Sequence, residues 1–193
     1  MRNVTWDIAL FEVLNFDGGA VMDCAMSLIS GVVVWLPLYA LVIYMIWRRY
    51  SWRGVVALLL GVALAMGLAD MIAGIFKHTG LLGDVWREFP ARLRPMFSEG
   101  LDSVHVLSYD HGKYGTVSAH AATIVAFALL SSAAIKRWWF TLVMVVVALL
   151  VCYSRIYLAC HFPQDIVLGA VVGVVSGGVG YLLFEYICLW RRS

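Results

Sequence analysis

Five stretches of this chain, roughly 26–47, 54–76, 117–135, 138–158 and 166–189, are apolar runs of membrane-crossing length. A helix needs about 20 apolar residues to cross a hydrocarbon core about 30 Å thick. The runs therefore predict an all-α, polytopic membrane helix bundle of about five transmembrane helices. Hydrophobic residues make up 63% of the sequence and charged residues 13%, against about 45–50% and about 25% in soluble domains. A net charge of +2 gives a nucleic-acid partner no electrostatic support. With no Gly/Ser linker and no internal repeat, residues 1–193 read as a single membrane-embedded domain.

Residues 1–22 precede the first run. Trp6, Ile8, Leu10, Phe11 and Leu14 recur at helical spacing among Asp7, Glu12 and Asp17. Those acids, and the lack of a basic start before a continuous apolar core, argue against a signal peptide. The expectation is an N-terminal amphipathic helix lying in the membrane interface. Cys24, Cys152, Cys160 and Cys188 form no CxxC pair and read as packing residues.

The connections fix a topology. RRYSWR (48–53) and KRWW (136–139) are short, basic and aromatic, whereas 77–116 is long and holds Gly, Pro and many charges. Five spans place Arg48, Arg49, Arg53, Lys136, Arg137, Arg191 and Arg192 on one side, without acidic neighbours in their loops. The positive-inside tendency makes that side cytoplasmic and 77–116 an outer loop. Two crossings return a chain to its starting leaflet, so Ser118, His120, Arg155, His161 and Asp165 are expected at one depth, beneath a loop carrying Arg87, Arg92 and Arg94.

Guanidinium forks match phosphate oxygens and keep their charge. Ser118 stands where a helix N-cap belongs, and the free N–H groups of such an end bind anions. Two histidines beside an anion pocket divide labour naturally: one attacks phosphorus and the other protonates the leaving oxygen. Asp165 lies four residues after His161, on the same helical face, where a carboxylate sets a tautomer. Two His and one Asp among arginines are a poor setting for a dication, so neither a metal nor a cofactor is expected. Asp70, well inside the second span, reads as a structural residue that either hydrogen-bonds between spans or helps fix the bundle behind the site, and His111 as a head-group contact. A different class, an anion or lipid transporter using the arginines as a relay, leaves the His161–Asp165 spacing without a purpose.

These residues resemble the type 2 phosphatidic acid phosphatase superfamily, which shares its core with vanadium-dependent haloperoxidases. Its three motifs are K-x6-R-P, P-S-G-H and S-R-x5-H-x3-D. Here the third is complete as Ser154, Arg155, His161 and Asp165; the second reads Val117, Ser118, Ala119, His120; the first reads Arg87, Arg94, Pro95. The resemblance implies that His161 is the nucleophile of a phosphohistidine, that Asp165 orients it and that His120 is the acid toward the leaving group. It assigns phosphate binding to Arg87, Arg94, Ser118, the Ala119 amide and Arg155. Arg87 in place of Lys departs from the pattern, and Lys77, ten residues earlier, is the alternative; Val117 for Pro and Ala119 for Gly remove no reacting group. The implied protein is a metal-independent lipid phosphatase of a bacterial inner membrane, with its active site facing the periplasm. Among implied substrates, undecaprenyl pyrophosphate ranks first, followed by lipid A phosphates and phosphatidylglycerol phosphate.

Overall fold

A computed structural model describes residues 5–101, 104–107 and 112–189; His111 lies outside them. The order is α1 (Thr5–Leu14), α2 (Gly19–Ser30), α3 (Leu36–Lys77), α4 (Ala119–Ile135), α5 (Trp138–Tyr157) and α6 (Pro163–Leu189), with 3₁₀ turns at Val33–Trp35 and Pro95–Phe97. Among the described residues, three helical segments are long and apolar enough to cross a membrane, Val33–Lys77, Trp138–Tyr157 and Pro163–Cys188, and α4 is shorter at 17 residues.

α3 is a hairpin. Ser51, at φ 61 and ψ −171, is far outside the helical region for a residue with a Cβ. Tyr39, Val42 and Ile43 before it face the same cavity as Leu58, Leu59 and Val62 after it, so the two arms lie side by side. The expected connection at 48–53 is thereby reduced to one non-helical residue, and the two arms of α3 with α4, α5 and α6 make a five-membered bundle.

The expected first span, 26–47, is broken in two. α2 ends at Ser30, Gly31 is extended (φ −81, ψ 160), and Pro37 sits in the first turn of α3, where its fixed φ starts a helix and its missing N–H costs nothing. The N-terminal 1–22 region likewise divides into α1 and the start of α2. α1 turns its stripe of Asp7, Phe11 and the following Asn15 into the protein, each 3% exposed or less, while Trp6 and Leu10 stay exposed. Asn15 Nδ2 donates to the carbonyls of Tyr157 (2.7 Å) and Ile156 (3.2 Å), tying α1 to the end of α5.

α4 packs against α3, α5 and α6, and its contact with α6 depends on small residues. A Cβ on Gly169 would strike the Ser118 carbonyl; on Gly173 it would stand 2.5 Å from the Ala122 carbonyl, and on Gly177 2.7 Å from that of Ala126. Both series step by four, one helical turn, which is how small residues let membrane helices approach. Gly173→Ala is expected to cost about 1–3 kcal/mol through overpacking, seen as a lower melting temperature in detergent. Gly178→Ala, where a Cβ meets nothing within 4 Å, is the control and should melt as the parent does.

Candidate active site

α6 begins at Pro163 with Asp165 in its first turn. Asp165 Oδ2 accepts the Phe162 N–H at 3.0 Å, a carboxylate reaching back across the helix start much as in a capping box. Just before it, Ala159 adopts φ 54, and the N–H groups of Cys160 and His161 both donate to the Arg155 carbonyl, at 2.9 and 3.2 Å. This turn holds His161 1% exposed, beside the end of α5.

The His161 ring is held at both nitrogens. Nδ1 lies 2.9 Å from the Gly115 carbonyl, which can only accept, so Nδ1 carries the proton and Nε2 a lone pair. Nε2 faces Arg94 Nη1 at 3.2 Å. Asp165 Oδ2 is 3.6 Å from Nδ1, beyond hydrogen-bond reach. The tautomer is therefore set by Gly115, with the aspartate acting at slightly longer range than its spacing suggested. Burial, followed by the charges of Arg94, Lys77 and Arg155, holds the imidazole pKa well below its ordinary value, against an upward pull from Gly115. The ring stays neutral at neutral pH, as a nucleophile requires.

Arg94 is 8% exposed and fixed by Nε to the Gly112 carbonyl (2.6 Å) and Nη1 to the Cys160 carbonyl (3.0 Å). A short ladder, Arg94 N–H to Lys113 O and Gly115 N–H to Arg92 O, ties its segment to the one carrying Gly115. Arg155, in the last turn of α5, is 4% exposed and donates to Ser30 Oγ of α2. Ser118 caps α4: its Oγ accepts from the Ala121 N–H at 3.3 Å, and its own N–H donates to the Asp165 carbonyl at 3.0 Å. Ala119 opens that helix, and His120 beside it faces a cavity of about 460 Å³.

Arg87 is not brought to this cluster. Its side chain is 73% exposed and paired with Asp84 (2.6 Å) in the outer loop. Lys77 stands there instead, 8% exposed at the end of α3 and within electrostatic range of Arg94, Asp165 and Arg155. The excursion of 78–91 puts Arg87 on the surface.

Asp7 escaped sequence reasoning, and Arg92, expected with Arg87 and Arg94 in the loop over the site, is its partner. Asp7 of α1, fully buried, binds Arg92 Nη1 at 2.5 Å and accepts the Gln164 N–H at 2.8 Å. Arg92 stacks 3.6 Å from the Phe162 ring centroid and reaches within 3.8 Å of Asp165 Oδ1. The N-terminal helix thus supplies a counter-ion beside the His161–Asp165 pair. Removing one partner of a buried pair costs about 3–5 kcal/mol because it strands the other charge. Asp7→Asn should therefore lower the melting temperature in detergent markedly, and Asp7→Leu with Arg92→Leu should regain most of the loss.

The cavity runs between α2, α3 and α4. Its wall is apolar over residues such as Leu58, Val62, Met66, Ile124 and Phe127, and it has Ser30, Asp70, His120 and Thr123 among its polar members. It opens beside the cation cluster, since Ser30 both lines it and binds Arg155. Such a site offers fixed cations, an aimed imidazole and an apolar channel.

The family model for the PAP2 superfamily matches residues 55–188. A lipid A 4'-phosphatase of Bacteroides thetaiotaomicron is 29% identical over 182 residues, covering 92% of this chain and 77% of the relative. An undecaprenyl-diphosphatase of Sulfolobus acidocaldarius is 26% identical over 172 residues, covering 89% and 75%. The crystal structure of Aquifex aeolicus LpxE superposes with a TM-score of 0.62 at 18% identity, over 93% of this chain and 97% of that one.

Proposed function

The chain belongs to the PAP2 superfamily, and on that premise we infer that it hydrolyses a lipid phosphate at the outer face of a bacterial inner membrane through a phosphohistidine on His161. The observation that carries the reading is the neutral His161 ring with its Nε2 lone pair 3.2 Å from the Arg94 guanidinium, beside a channel suited to hydrocarbon. A phosphate drawn to Lys77, Arg94, Arg155 and the N–H groups opening α4 takes its place against Nε2. The lone pair forms an N–P bond as the P–O bond to the lipid breaks, and His120 gives a proton to the departing oxygen. His120 then takes a proton from water, whose oxygen attacks phosphorus; the P–N bond breaks, inorganic phosphate leaves and Nε2 regains its lone pair. Gly115 and Asp165 keep the Nδ1 proton in place while positive charge develops on the ring.

Relatives named for lipid A and for undecaprenyl diphosphate act on substrates that share a phosphate joined to long apolar chains, and both suit the cavity. The test is phosphate release by purified protein in detergent from a lipid A phosphate and from undecaprenyl pyrophosphate. Turnover of at least one, inhibited by vanadate as a mimic of five-coordinate phosphorus, is expected. Absence of release from both overturns the reading.

A further inference from the structure

Asp70 is a carboxylate inside a membrane span that the reaction above does not use. Ionisable groups at such depth are costly and face a cavity or a partner. Asp70 opens onto the cavity, and among the described residues nothing hydrogen-bonds to it; its one marked interaction is electrostatic, with Lys77. Of the two structural roles expected from the sequence, the interhelical hydrogen bond is not formed.

Its position is a ruler. Seven residues separate Asp70 from Lys77, which is about 10 Å along the helix and within about 20° of two full turns. The two side chains thus share one face of α3, the lysine level with the phosphate cluster and the aspartate about 10 Å deeper. Below Asp70 the α3 wall of the cavity is apolar down to Leu58, about 18 Å further. Asp70 therefore marks the level at which head group gives way to chain. Thr123, one turn below His120, lines the cavity with its hydroxyl committed to the carbonyls of Ala119 (3.0 Å) and His120 (3.2 Å). It has no proton to offer the carboxylate.

We propose that Asp70 is a specificity-determining acceptor: it takes a hydrogen bond from a hydroxyl or amide N–H that the lipid carries about 10 Å from its phosphorus. The site so built selects a sugar- or hydroxyacylamide-linked lipid phosphate over a polyprenyl or ester-linked one. A polyprenyl chain presents only hydrocarbon at that distance and would cover the carboxylate, which is exposed towards the cavity, without pairing it, and sites built to bond a donor reject analogues that lack it. The inference rests on the lipid phosphatase reading and deepens it.

The experiment compares two synthetic lipid phosphomonoesters with the same sugar phosphate and chain length. One has its chains attached as 3-hydroxyacyl amides, the other as esters without hydroxyls. The readout is the ratio of kcat/KM values in detergent for the parent, Asp70→Asn and Asp70→Leu. This ratio does not depend on how much of a variant is folded. The parent should prefer the donor-bearing lipid by about tenfold or more; Asp70→Asn, whose amide oxygen still accepts, should retain part of the preference, and Asp70→Leu should bring the ratio close to one. A parent ratio near one, or an undiminished ratio in Asp70→Leu, overturns the assignment while leaving the phosphatase reading intact. No release from either lipid by the parent also overturns the assignment, and undecaprenyl pyrophosphate assayed beside them then decides the phosphatase reading on its own.

Discussion

His161→Ala is expected to lower kcat for lipid phosphate by at least about a thousandfold, the scale on which covalent nucleophiles fail when deleted. The ring is 1% exposed, its Nδ1 proton is committed to Gly115 and its Nε2 is aimed at the cluster beside Arg94. No other imidazole among the described residues combines these features. His105 is engaged at Nε2 with Asp23 (2.8 Å) and His78 with the Phe89 carbonyl (2.8 Å), while His120 faces the cavity. The pH profile of the parent carries a second signature. Burial and three neighbouring cations disfavour the imidazolium, so the ring loses its proton at lower pH than free imidazole, whose pKa is about 6.5. Its nucleophilic form persists through neutral pH and is lost only as pH falls through the lowered value. An acidic limb of kcat/KM above pH about 6.5 that tracks His161 would contradict this geometry.

Lys77→Ala should reduce kcat/KM by about 10²–10³, the usual consequence of losing a fixed charge that meets a developing oxyanion. Arg87→Ala should change it by less than about twofold, because an exposed ion pair contributes little and this one sits with Asp84 on the surface. The sequence favours the opposite order, since Arg87 has the motif spacing to Arg94 and Lys77 does not. Steady-state kinetics on the two variants, with melting temperatures to exclude unfolding, separates the possibilities. A large loss in Arg87→Ala with none in Lys77→Ala would mean that the outer loop folds over the site.

Much of the architecture could be read from the chain because apolar length is a direct consequence of bilayer thickness. The runs at 138–158 and 166–189 agree with α5 and α6 within a few residues. Two spans joined by a short basic turn bring Ser118 and Asp165 together, and their backbones hydrogen-bond. The reversal at Ser51 falls inside the connection expected at 48–53; what hydropathy could not show is the break at Gly31, which interrupts the first run without any loss of hydrophobicity. The spacing to Arg94 points to Arg87, yet in space Arg87 lies on the surface with Asp84 while Lys77, ten residues earlier, is buried within electrostatic range of Arg94, a difference that spacing alone does not carry. Asp7 was read as part of the solvent-facing side of a surface helix, since its partner Arg92 is 85 residues away and single-sequence periodicity carries no such pairing. Gly169, Gly173 and Gly177 recur every four residues in the sequence, but that α4 is the helix packed against them is seen only in the structure.

The central claim is the covalent phosphoryl group on His161, and rapid acid-free quenching of the protein during turnover of a lipid with radiolabelled phosphate tests it most directly. Phosphohistidine contains a P–N bond, so the label should survive alkali, be lost in acid and map to the peptide containing residues 156–165. His161→Ala should carry none. A parent protein that turns over without any such label, or whose label stays in the His161→Ala variant, would contradict the account.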